Sequence, residues 1–244
     1  MDKHTFVNIF MRTAEKSQAG VMWVTSDDPD DDVSVWIEPS NYLLFSDLNS
    51  KMHASPYTLD DVDNISSGSE NGNDYVLLSM TNGDDVYLYF SLTNEQPYIR
   101  LRKELTKAIL TNDKVFSEWK IDNFVVRFND LAKKAEITEE WTAAGKGMKS
   151  APITISDDGY MIFRNKSPYT INDVKMLKKR NIDSYLEVEH YVVVTMRNGD
   201  HLYFFQKGKG SSVSITLHCP ERTPLQEEHL FDYWMYCEKY GMDM

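Results

Sequence analysis

The apolar positions of this chain fall into runs that occur twice. Residues 75–90, Tyr-Val-Leu-Leu-Ser-Met-Thr-Asn-Gly-Asp-Asp-Val-Tyr-Leu-Tyr-Phe, return as residues 191–206, Tyr-Val-Val-Val-Thr-Met-Arg-Asn-Gly-Asp-His-Leu-Tyr-Phe-Phe-Gln. Each copy is two β-branched and aromatic runs joined by Asn-Gly. That pair accepts φ > 0 at both centres of a type I′ turn, which predicts a hairpin with a two-residue loop. The register that follows sets Leu78 opposite Tyr87, Val76 opposite Tyr89 and His201 beside Met196. One face of the first hairpin then carries Val76, Leu78, Tyr87 and Tyr89, and the other carries Tyr75, Leu77, Leu88 and Phe90. A sheet apolar on both faces must be covered on both, by helices, another sheet or a sister unit.

The echo extends well beyond the hairpins. Phe6, Val7, Phe10, Ala14, Lys16 and Trp23 reappear 118 positions later as Phe124, Val125, Phe128, Ala132, Lys134 and Trp141, and Tyr42-Leu-Leu-Phe45 as Tyr160-Met-Ile-Phe163. After one shorter loop, Ser55-Pro-Tyr-Thr-Leu-Asp-Asp-Val62 meets Ser167-Pro-Tyr-Thr-Ile-Asn-Asp-Val174. Self-similarity at a fixed offset is the signature of repeated structural units. The stripe Phe6, Val7, Phe10, Met11, Ala14 predicts an amphipathic helix over 4–17, and its counterpart one over 123–135. Strands are predicted at 20–25, 33–37, 42–45, 98–101, 153–155, 160–163 and 213–217. Closing helices are expected at 103–119 and 225–240. Thr58 and Thr170 read as N-caps, with Asp61 and Asp173 placed three residues later against the helix dipole, so a short helix is expected at each, the second reaching over 171–180. The predicted fold is α+β: two tandem, structurally similar units of mainly antiparallel sheet, about six strands each, flanked by helices and related by a pseudo-two-fold, over 1–118 and 119–244.

Composition narrows the function classes. At 41% hydrophobic and 26% charged residues, the 244-residue chain is globular, and 14 Tyr, 11 Phe and 5 Trp supply bulk for two cores. No run approaches the roughly 18 apolar residues of a membrane span, and the first residues do not read as a secretory signal, which predicts a cytosolic protein with no membrane partner. The net charge of −12 argues against direct binding to a nucleic-acid backbone. That charge is uneven. Residues 1–118 hold 9 Lys and Arg against 20 Asp and Glu, net −11, and residues 119–244 hold the remaining 17 against 18, net −1. Cys219 and Cys237 read as buried thiols at a strand end and in a helix.

Motifs for chemistry are sparse. The cluster Asp27, Asp28, Asp30, Asp31 and Asp32 lacks the ligand spacing and glycine of a calcium loop and reads as a solvated acidic loop. The glycine-lysine stretches at 143–147 and 207–210 lack the phosphate-loop pattern. The histidines His4, His53, His190, His201, His218 and His229 show no zinc spacing, and His218 beside Cys219 is a weak hint of a catalytic pair. No catalytic residue, cofactor or metal is therefore assigned. The one basic cluster is Lys175, Lys178, Lys179 and Arg180, read as a helix face. Its natural partner is an acidic surface, and the acidic first half of another copy offers one, with residues 27–32 of one molecule facing 175–180 of the next.

The order hairpin, Tyr-Thr-Leu-Asp-Asp-Val segment, strand, Asn-Gly, strand and closing helix resembles bacterial pleckstrin-homology-like modules. That resemblance implies a tandem binding module. The doubled alternation of helices and strands in an acidic chain is similar in layout to the sliding clamps of DNA replication, and implies a clamp-like or inhibitory factor acting on nucleic-acid machinery. The residues themselves favour a non-catalytic protein-binding or assembly protein that associates with other proteins or head to tail with itself.

Overall fold

The computed structural model describes residues 1–17, 24–25, 33–89, 98–136, 141–144, 151–163, 165–183, 188–208, 211–219, 225–226, 229–230 and 233–234. The chain divides into two compact units, Met1–Asn123 and Phe124–Met244.

In the first unit, helix α1 (Lys3–Lys16) forms where Phe6, Phe10 and Ala14 recur at helical spacing, and all three are buried. Asp2 caps it, with Oδ1 accepting from the Thr5 amide at 2.9 Å. Strand β1 (Val24–Thr25) pairs in parallel with β2 (Val35–Ile37), which continues antiparallel into β3 (Tyr42–Ser46) and β4 (Met52–Thr58). One 3-10 turn, Leu59–Asp61, leads into a five-stranded antiparallel meander. Its strands are β5 (Val62–Glu70), β6 (Asn73–Met80), β7 (Asp85–Tyr89), β8 (Ile99–Arg102) and β9 (Ile109–Thr111). Helix α2 (Asp113–Lys134) follows, and the division between units falls within it. The core joins Phe6 and Phe10 to Phe45, Val76, Leu78, Val86, Leu101 and Trp119.

In the second unit, β10 (Thr142–Ala144) runs parallel to β11 (Ile153–Ile155), followed antiparallel by β12 (Tyr160–Phe163) and β13 (Asn165–Thr170). After the 3-10 turn Ile171–Asp173 come β14 (Val174–Asp183), β15 (Val188–Met196), β16 (His201–Gln206), β17 (Val213–His218) and β18 (Leu225–Gln226), ordered in sequence in one sheet. Residues 229–230 and 233–234 are helical. Phe128 meets Phe204 edge-on at 5.2 Å, and Phe163 packs between Phe204 and Trp234.

The fold is thus mixed α+β with mostly antiparallel sheets, as expected, but the described residues form four sheets, two of four strands and two of five, rather than two six-stranded units. Three differences from the sequence reading have physical causes. The helix expected over 171–180 is a strand, and so is its counterpart. Both capping boxes exist, with Asp61 Oδ2 accepting from the Thr58 amide at 2.6 Å and Asp173 Oδ2 from the Thr170 amide at 2.7 Å. The helix stops after one turn, because nucleating it gains few bonds while a full ladder awaits on β6 or β15. The helices expected at 103–119 and 123–135 are one, α2, preceded by β9. Of the expected strand 20–25 only β1 is described, and Trp23 lies outside the described residues.

The third difference is register. In each hairpin the loop has three residues. The Met80 amide donates to the Asp84 carbonyl and the Gly83 amide to the Met80 carbonyl, both at 2.8 Å, and Gly83 alone takes the left-handed conformation at φ +86°. This is a type I turn closed by a glycine bulge. Asn82 Oδ1 accepts from the Asp84 amide at 3.0 Å, which holds asparagine out of the left-handed region. The ladder therefore shifts by one residue: Leu78 faces Val86, Leu77 faces Tyr87 and Tyr75 faces Tyr89. A one-residue slip exchanges faces, so Val76, Leu78, Val86 and Leu88 all enter the core and the tyrosines gather on the opposite side. His201 faces Thr195, not Met196. Gly83→Ala would force a side chain into the left-handed region and its Cβ to 2.8 Å from Glu104 Cγ. It should weaken the first unit by about 1–2 kcal/mol in chemical denaturation.

Candidate functional site

The repeated Ser-Pro-Tyr-Thr and Asn-Gly-Asp segments meet in space. In the first unit the Tyr57 hydroxyl, carried by β4, donates to Asp84 Oδ2 at 2.8 Å, at the tip of the β6–β7 hairpin. Asn82 Nδ2 also donates to Oδ2 at 3.0 Å, and the Glu104 amide donates to Oδ1 at 2.7 Å. The Tyr57 ring stands edge-on to Trp119 at 6.0 Å. In the second unit Tyr169 donates to Asp200 Oδ2 at 2.6 Å, Asn198 Nδ2 donates to the same oxygen at 2.8 Å, and the Tyr169 ring stands edge-on to Trp234 at 6.0 Å. Burial, and then the adjoining carboxylate, raise both phenols well above the ordinary tyrosine value. Phenols so raised stay protonated at neutral pH and act as donors, so these are structural locks between a four-stranded and a five-stranded sheet. Neither the Tyr–Asp bond nor its Trp neighbour was read from the sequence. The signal was the retention of both short segments in both halves.

Beneath the first lock, Lys103 Nζ bridges Glu118 Oε1 at 2.9 Å and Asp122 Oδ2 at 3.0 Å. Burial raises the Asp122 carboxyl in spite of Lys103, whereas for Lys103 burial is outweighed by its two acidic partners and the ammonium is favoured. His53 Nε2 lies 2.8 Å from Asp47 Oδ2, and its ring stacks on Phe116 at 4.1 Å. Asp47 also accepts from the Asn49 and Lys51 amides, so this His–Asp pair ties down a loop.

The outer face of the first five-stranded sheet gathers Tyr75, Tyr87 and Tyr89, with ring centroids 5.2 to 6.5 Å apart. The Arg100 guanidinium lies 4.1 Å over the Tyr87 ring. Glu70 Oε2 accepts from the Tyr89 hydroxyl at 2.8 Å and from Arg100 at 2.6 Å, and these two bonds, Tyr89 first, lower the Glu70 carboxyl. Tyr75 lies directly over Gly68 of β5, where no Cβ would fit without moving the ring. Asp85 and Arg102 pair across β7 and β8 at 2.5 Å. In the second unit the matching cross-strand positions hold His201 and His218.

Asp27, Asp28, Asp30, Asp31 and Asp32 lie outside the described residues, as do Cys237 and most of the two glycine-lysine stretches. The basic residues are placed. Lys175, Lys178, Lys179 and Arg180 stand on β14, which among the described residues is an edge strand paired with β15 alone, with Lys179 half-buried and the other three exposed. They are a strand rim, not a helix face. Lysines on an edge also repel the pairing of a foreign strand. Among the described residues no group of three or more His, Cys, Asp or Glu could hold a metal ion, and no helix is long and apolar enough to cross a membrane. No protein-family model, curated protein or solved structure matches the chain.

Proposed function

We propose that this is a non-catalytic protein-binding or assembly protein built from two divergent copies of one α+β unit, Met1–Asn123 and Phe124–Met244. The observation that carries the reading is the Tyr–Asp–Trp lock, present at matching places in both halves together with the same succession of four- and five-stranded sheets. What the copies share is internal. What differs is external: Asp85 and Arg102 against His201 and His218, and the serine-rich edge β5 against the lysine-rich edge β14. Retained interiors with altered exteriors fit a scaffold whose two surfaces engage different neighbours. The basic rim of β14 and the acidic first half are suited to each other, so the neighbour is a second copy, joined head to tail.

Such a contact is screened within a Debye length, about 10 Å at 0.1 M salt and about 3 Å at 1 M. Light scattering on the eluting chain should show a mass above the monomer at low salt that falls to the monomer at high salt. Lys175→Glu combined with Lys178→Glu and Lys179→Glu should give the monomer throughout. A monomer at every salt concentration in the unaltered chain would refute self-assembly. A tandem pleckstrin-homology-like module is a second reading, favoured by the two mainly antiparallel sheets followed by a helix in the first unit. It requires each unit, expressed alone, to retain a ligand-binding activity that does not depend on chain concentration.

A further inference from the structure

Row by row across the two five-stranded sheets, the outer faces carry different chemistry at one place. In the first unit the row is Ser79, Asp85, Arg102, and the last two close an ion pair. In the second unit the row is Thr195, His201, His218, on β15, β16 and β17. Directly opposed residues in an antiparallel pair hold their Cβ atoms roughly 5 Å apart, and the two imidazole centroids lie 6.4 Å apart at 37°. Two imidazoles of like type form no ion pair with each other there.

We infer that His201 and His218 form a two-histidine chelate for a borderline divalent transition-metal ion of the zinc or copper class. His201 Nδ1 lies 3.0 Å from Thr195 Oγ1, which engages one ring nitrogen and leaves Nε2 to bind metal, the division of labour that orients metal-binding histidines. Both rings are half-buried, so an ion can reach them. A tetrahedral ion at ~2.0 Å from one nitrogen of each ring would bring the centroids to roughly 5 Å, within reach of a small side-chain rotation on two rigid, paired strands. Two protein ligands leave the remaining positions to water or to a group from a partner. This inference does not rest on the assembly reading.

The test is calorimetric titration of the untagged full chain with zinc chloride. Saturation at one ion per chain is expected. His201→Asn and His218→Asn should each weaken binding at least tenfold, about 1.4 kcal/mol. His190→Asn should leave it unchanged, because that ring is placed elsewhere, against Glu136 at 3.2 Å. The double variant His201→Asp with His218→Arg installs the ion pair of the first unit, so it should fold yet bind no zinc even where a single variant misfolds. Absence of saturable binding in the unaltered chain, or zinc bound by the double variant as tightly as by the unaltered chain, would overturn the proposal.

Discussion

Trp119→Ala is expected to cost the first unit about 3–5 kcal/mol, the range for emptying a large aromatic site in a packed core. The indole is fully buried on the first half of α2. It meets Phe45 at 5.0 Å, Phe116 at 6.0 Å and Tyr57 edge-on at 6.0 Å, so one side chain joins the helix to β3 and β4. None of those rings can move to fill the void without breaking its own packing. Domains are stable by about 5–15 kcal/mol, so the loss takes a large part of what the first unit has. Tryptophan fluorescence and circular dichroism under urea should show the first unit melting early while the transition of the second unit stays in place. Trp119→Phe keeps an aromatic ring and should recover a substantial part of the loss. An unchanged midpoint for Trp119→Ala would contradict the packing described.

Asp84→Ala should come next, at about 2–4 kcal/mol, because it removes hydrogen bonds to a charged acceptor and leaves buried donors with nothing to replace them. The Tyr57 hydroxyl loses its acceptor inside the core, and the Glu104 amide loses the oxygen that fixes the chain after β8. Tyr57→Phe deletes only the donor, and Asp84 keeps Asn82 and the Glu104 amide, so its cost should be about 1–2 kcal/mol. Asp200→Ala should act on the second unit in the same way through Tyr169. A double-mutant cycle of Tyr57→Phe with Asp84→Ala measures the coupling directly. Additivity would mean that the bond contributes nothing beyond its parts.

Trp119 carries no mark in the sequence, whereas Tyr57 and Asp84 lie in repeated segments that the sequence marks without explaining. Ser-Pro-Tyr-Thr looked like a helix start and Asn-Gly-Asp like a turn, and each is that locally: the capping boxes exist and the hairpins turn there. Their long-range meaning was not legible, since Tyr57 and Asp84 are 27 residues apart and no period links them. The basic run illustrates the opposite error. Lys175, Lys178, Lys179 and Arg180 have helix-compatible spacing and good helix propensity, yet they sit on a strand, because pairing along β15 outweighs a propensity difference of a few tenths of a kcal/mol per residue.

What the amino-acid sequence determined by itself was the class of fold: helix α1 from its apolar stripe, the hairpins from their β-branched and aromatic runs, and a mainly antiparallel α+β architecture. Those features follow from local periodicity and turn chemistry, which act over a few residues. The tertiary structure alone decided the hairpin register, the division into four sheets, the merging of two expected helices into α2, and the meeting of His201 with His218. Each depends on which partner a segment finds across the chain. A one-residue choice at Gly83 or Gly199 exchanges the two faces of a sheet, and no local pattern distinguishes a two-residue turn from a three-residue one when both faces are apolar.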